Sequence, residues 1–262
     1  MCLLGCGISL ADEIIIDSFG KSDGDTYTSP GNNQRSWTHF TGGEGTVGEY
    51  RDGSIGGKSG LKSACIANDR LFVMANPGGE PRINLSYDNS PGWGNDRQTE
   101  PFNGSLHPAR DLTDSGANSR FEFQFTFADK GKKPQNTYSS FFKDFRIRVK
   151  EANGGDSHTY SFNAGLEARG GDNSANQWMA DNGPDLEKGT ARAFTIPFTT
   201  LKAKGASLDD VEAFQFSISS NQKGTAYSID RVVATPEPAT TALALLAAGA
   251  GAFSVWRKRK KE

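Results

Sequence analysis

Cysteine and histidine are nearly absent from this chain, with three of each among 262 residues. Cys2 and Cys6 lie at the extreme front, so Cys65 stands alone in the body and no intramolecular disulfide can form there. Its neighbours, Leu61-Lys62-Ser63-Ala64-Cys65-Ile66, read as a strand in which Cys65 serves as a small buried hydrophobe. No Cys/His spacing resembles a zinc site. His39, His107 and His158 have no aspartate or nucleophile at a catalytic spacing, and no G-x-S-x-G occurs. Acids are scattered through polar loops, and no glycosidase pair can be picked out among them. An excess of positive charge is missing as well. Setting aside the five cations and two acids of the last 27 residues leaves 24 Lys+Arg against 29 Asp+Glu, a body of charge −5. That excludes nucleic acid and a body docked on anionic lipid. The body also lacks a long amphipathic helix, an internal repeat and a low-complexity linker. One domain is therefore expected.

Long uncharged runs are absent with one exception, at the C-terminus. Pro236-Glu237-Pro238 is followed by residues 239–256, 18 in a row without a charge, and then by Arg257, Lys258, Arg259, Lys260 and Lys261. Eighteen residues is near the shortest helix that crosses a bilayer. A helix satisfies its own backbone in lipid, and the cationic run belongs on the cytoplasmic side. Everything before Pro236 then lies outside the cytoplasm.

This order of features resembles the PEP-CTERM sorting signal of Gram-negative bacteria. The resemblance implies export, a passing inner-membrane anchor, and recognition of Pro236, Glu237, Pro238 and the Arg257-Lys258-Arg259 cluster by an exosortase. That enzyme is thought to cut near the Pro-Glu-Pro and release the protein to the cell surface or extracellular matrix. Residues 1–11 (MCLLGCGISLA) end in a small-x-small pattern and read as a signal-peptide remnant. The positively charged segment that should precede it is missing, so either this is not a signal peptide or the true start lies upstream of Met1; the upstream start is the expectation, since a C-terminal sorting tail requires export. A loose lipobox ending at Cys6 is the second reading of this segment, and a first strand the third.

The body, residues 12–235, is a series of short alternating runs separated by polar turns. Residues 120–128 (RFEFQFTFA) are the clearest: Phe121, Phe123, Phe125 and Phe127 on one face, Glu122, Gln124 and Thr126 on the other. Residues 145–150 repeat the pattern with Phe145, Ile147 and Val149, and Asn153-Gly154-Gly155-Asp156 is a hairpin turn signal. Further strands are expected at 13–19, 46–50, 60–66, 70–76, 82–87, 158–162, 191–198, 213–219 and 226–234. Residues 20–33, 51–57 and 88–119 read as loops, and 208–211 as one helical turn. One-sided aromatic strands at about ten-residue spacing indicate an all-β antiparallel sandwich or jelly roll, followed by a single C-terminal transmembrane helix. The body is also similar in kind to carbohydrate-binding modules and galactose-binding-like domains, on Ile16-Asp17-Ser18-Phe19, Glu49-Tyr50-Arg51-Asp52, Asp111-Leu112-Thr113 and Ser228-Ile229-Asp230-Arg231-Val232.

Two kinds of binding site fit these residues. Trp37, Tyr50, Trp93 and Trp178 lie in or beside polar stretches, where an exposed ring stacks on a sugar face; Asn95 and Asp96 flank Trp93, and Asn176 and Asp181 flank Trp178. A tryptophan that caps the core is the competing reading. Structural calcium is the second kind, with Asp23 and Asp25 in an acidic turn and Asp17 and Asp230 on first and last strands that could be neighbours. Turn-forming aspartates compete with it. The expectation is an exported, non-enzymatic surface or matrix protein, glycan-binding or structural, with exosortase and extracellular polysaccharide as partners. A secreted polysaccharide hydrolase and a permanently anchored envelope protein are the alternatives.

Overall fold

The computed structural model describes residues 13–19, 26–29, 36–41, 50–56, 61–88, 109–153, 156–163, 175–220 and 222–236. Two antiparallel sheets face each other. The first runs β11 (Arg192–Pro197), β8 (Arg120–Asp129), β13 (Ala226–Thr235), β6 (Leu71–Ala75), β5 (Lys62–Ile66), β2 (Thr26–Ser29), with β1 (Ile14–Asp17) also on β13. The second runs β10 (Asp156–Asn163), β9 (Phe142–Asn153), β12 (Val211–Ser220), β7 (Arg82–Asp88), β4 (Tyr50–Gly56), β3 (Ser36–Thr41). The sandwich is the architecture the one-sided aromatic strands require.

The core is aromatic. Phe121, Phe123 and Phe125 of β8 are fully buried against Phe145 of β9 and Phe214 and Phe216 of β12. Phe127 departs from the expected face. Along β13, Ser228 pairs with Phe127 but the next residue, Ile229, pairs with Phe125. Thr126 is thus the extra residue of a bulge, which reverses the alternation. Thr126 and Ala128 turn inward, and the Thr126 hydroxyl bonds that of Ser228 at 2.7 Å. In β5 the inward positions are Lys62, Ala64 and Ile66, so Cys65 is half-buried on the other face rather than buried in the core.

Several segments read as loops are strands. β2 lies within residues 20–33, and β4 runs through Asp52-Gly53-Ser54. Residues 46–49 and 89–108 lie outside the described residues. Leu208 is a turn residue with positive φ, and Val211 opens β12; the short helix is instead α2 (Thr199–Lys202). The expected hairpin holds, with Asn153 paired to Asp156.

The largest departure is α1 (Ala175–Glu187), a 13-residue helix where none was expected. Gly183 and Pro184 inside it are poor helix formers. Tertiary contacts supply what propensity lacks. Ala175, Met179, Gly183 and Leu186 form its buried stripe. A Cβ on Gly183 would stand 2.3 Å from Tyr138 Cδ1, so the missing side chain is what lets the Tyr138 ring lie on the helix. Asn176 adds two bonds to the start of β9. Its Oδ1 accepts from the Phe142 N–H at 2.8 Å and its Nδ2 donates to the Phe142 carbonyl at 2.9 Å.

Among the described residues no helix is long and apolar enough to cross a membrane; the span expected at 239–256 and the leader at 1–11 lie outside them.

Candidate functional site

The outer face of the second sheet is built from the polar half of three alternating strands. Ile83, Leu85 and Tyr87 of β7, Phe145, Ile147 and Val149 of β9, and Phe214, Phe216 and Ile218 of β12 point into the core. The intervening residues therefore share the opposite face. Pairing aligns them in rows across the strands: Arg148–Gln215–Ser86 and Arg146–Ser217–Asn84, with Asp144–Ser219–Arg82 below. The backbone register carries the first row on to Asp52 and His39, and the second to Ser54 and Trp37.

These groups hold one another. Arg148 Nη1 donates to Gln215 Oε1 at 3.0 Å, and Gln215 Nε2 donates to Ser86 Oγ at 2.7 Å, a relay over three strands. Lys150 pairs with Glu212 at 3.3 Å, and Arg146 with Asp144 at 3.6 Å. Gln215, Ser217 and Asn84 are only 3 to 5 % exposed, whereas the Arg146 side chain keeps 42 %. Ser217 Oγ is buried without a hydrogen-bond partner among the described residues. The result is a fixed polar floor with one cationic arm standing from it.

Of the sequence-predicted sugar residues, Asn176, Trp178 and Asp181 lie on α1. Trp178 sits on α1, its ring 5.3 Å from both Phe125 and Phe194, and its Nε1–H donates to the Ala193 carbonyl at 3.0 Å. It caps the end of the core. Asn176 is committed to Phe142, as above. Asp181 is exposed and accepts from Gln177 Nε2 at 3.1 Å. Trp93, Asn95 and Asp96 lie outside the described residues.

Of the residues expected to hold calcium, Asp17 and Asp230 do lie on neighbouring strands, with Asp17 paired to Val232. Asp17 is fully buried and reaches across to the second sheet. Its Oδ2 accepts from the Tyr87 hydroxyl at 2.9 Å, and its Oδ1 accepts from the Phe19 N–H at 2.7 Å. Asp23 and Asp25 lie outside the described residues. Among the described residues no three His, Cys, Asp or Glu side chains gather as a metal site.

Asp230 sits at a second register shift of β13. Its Oδ1 is buried without a partner. Burial pushes its carboxyl above the usual carboxylate range, against the pull of Arg231 and Arg70. The folded chain thus holds this proton more tightly than the unfolded one. Above both pKa values the ionised group costs stability, and the cost disappears as pH falls below the unfolded value. Asp230→Asn should therefore melt higher than wild type at pH 7, with the difference vanishing in acid. Calorimetric melts at both pH values check this, and a lower melting point at pH 7 would refute it.

Pro236 follows β13 directly, and Glu237, Pro238, Arg257, Lys258 and Arg259 lie outside the described residues.

A PEP-CTERM protein-sorting motif matches residues 234–260. No curated protein matches the chain. Among solved structures, the family 11 carbohydrate-binding module of the cellulosomal cellulase Lic26A-Cel5E of Clostridium thermocellum is 11 % identical, with TM-score 0.33, over 87 % of this chain and 96 % of its own. A solution structure of CtCBM11 gives 13 % identity and TM-score 0.33, over 87 % and 98 %. An exo-β-agarase gives 11 % and 0.32, over 86 % of this chain and 25 % of its own. Scores this low say nothing about ligand or activity.

Proposed function

We propose that this chain, which carries a PEP-CTERM sorting motif, is an exported, non-enzymatic protein whose body binds polysaccharide on the outer face of its second sheet. The motif marks an exported protein. Exosortase would read the tail at the inner membrane and release the body to the surface or matrix of a Gram-negative cell. The observation that carries the binding role is the Arg148–Gln215–Ser86 relay, a row of mutually bonded polar groups across three strands.

Sugar hydroxyls both donate and accept, so they suit fixed amide, hydroxyl and guanidinium groups. Groups already held by their neighbours lose little freedom on binding, which favours affinity. The face is also long, as a polymer requires: its rows run from β9 through β12 and β7 to β4 and β3.

Affinity electrophoresis of the full chain through gels containing neutral or acidic polysaccharide tests this reading. Wild type should be retarded by at least one polymer. Gln215→Ala removes the centre of the relay and should weaken that binding about tenfold, a loss of roughly 1.4 kcal/mol. A wild-type chain that migrates freely in every gel would sink the proposal.

A further inference from the structure

The charges on this face narrow the ligand class. We infer, resting on the polysaccharide reading above, that the polymer is acidic and that its carboxylate sits over Ser217 beside Arg146. Ser217 is the centre of a ring of guanidinium residues. Arg146 is directly opposite it in the sheet, Arg148 is diagonal on the same strand, and Arg82 is diagonal on β7. Diagonal neighbours about 7–8 Å apart are within reach of such long side chains. Among the described side chains in that ring the one carboxylate is Asp144, opposite Ser219. It pairs with Arg146 at 3.6 Å, longer than the 2.7–2.9 Å of a strong charged pair.

The hydroxyl of Ser217 is the second, independent observation. It is 5 % exposed and its oxygen has no hydrogen-bond partner among the described residues. A buried hydroxyl without a partner costs free energy that an incoming acceptor recovers. A carboxylate is acceptor-only, and its planar pair of oxygens matches one Arg fork while leaving lone pairs for the Ser217 O–H. A neutral sugar would use Gln215 and Asn84 equally well but has no group that calls for three guanidinium residues around one serine. The chemical class is therefore a uronate-bearing or similarly carboxylated polysaccharide.

The experiment is titration of the full-length chain with alginate and with a neutral mixed-linkage β-glucan, at about 20 mM and about 500 mM NaCl, where screening lengths differ severalfold. Alginate should bind at low salt, at least tenfold more tightly than the glucan, and lose most of that advantage at high salt. Arg146→Gln should weaken alginate binding about tenfold and glucan binding far less, with little shift of the melting temperature because its ion pair with Asp144 is partly exposed. Arg146→Lys should recover part of the loss, because it restores charge without the fork. Equal, salt-insensitive binding of both polymers would overturn this inference and leave the polysaccharide site standing. Absence of binding to either polymer or to any in the gels above would overturn both.

Discussion

Phe123→Ala should lower the free energy of unfolding by about 3–5 kcal/mol, the range for a buried phenylalanine whose site cannot collapse. Phe123 belongs to the first sheet, but its ring is gripped by the second. Phe145 meets it edge-on at 4.9 Å and 82°, and Phe216 at 5.4 Å and 87°. Within its own sheet it lies between Phe194 and Val232. These neighbours are themselves packed by other rings, so few atoms are at liberty to fill the space. Each edge-to-face pair also adds roughly 0.5–1.5 kcal/mol beyond burial alone. Urea unfolding followed by tryptophan fluorescence should show an earlier midpoint with an unchanged slope. A loss under about 1 kcal/mol would mean that the two sheets do not meet at this ring.

Glu151→Ala should cost nearly as much, about 3 kcal/mol, through polar groups alone. Glu151 is fully buried at the end of β9. Its Oε1 accepts from the Leu208 N–H at 2.6 Å, and its Oε2 accepts from the Ser207 N–H at 3.1 Å and the Ser207 hydroxyl at 3.2 Å. Leu208 has φ 68°, a conformation that leucine adopts at a cost. The carboxylate holds that turn in place just before β12. Alanine leaves the Leu208 amide buried without its acceptor and removes the restraint on the turn. Glu151→Gln keeps one carbonyl oxygen and should recover about half of the loss. Amide exchange at Leu208 should quicken in both variants, and an unaltered rate would contradict the assignment.

How much of this was legible beforehand follows from what each element depends on. β8, β9, β12 and β13 are rich in aromatic and branched residues, and their alternation shows in any reading of the chain. β4 hides because Gly53 and Gly56 have no strand propensity; pairing with β3 and β7 on both sides keeps it extended. α1 hides behind Gly183 and Pro184, and stands because Asn176, Met179 and Leu186 are held from outside the helix. Phe127 looked like its three neighbours until the bulge at Thr126 reversed it, and nothing local in RFEFQFTFA announces a bulge.

The candidate site was the least legible part. Gln215 and Ser86 bond across 129 positions of sequence, and Arg148 and Gln215 across 67. Each is an ordinary polar residue in its own strand, and only the order β9–β12–β7 makes them a row. The tryptophans are conspicuous singly, and the Trp178 ring packs on Phe125 and Phe194. One signal was present in the chain: Gln215, Ser217 and Ser219 interleave with Phe214, Phe216 and Ile218, so a buried strand necessarily presents a small, even polar face.

The last strand has a mechanical meaning. β13 lies against β8 along its whole length, and against β6 and then β1 on its other edge. Pro236 follows the strand directly. Ladder hydrogen bonds run across the strand direction. Tension applied through the tail therefore loads both ladders in shear, many bonds at once, and cannot peel them apart one at a time. A body held at its second sheet and tugged by its C-terminus would resist at β13, inside the first sheet.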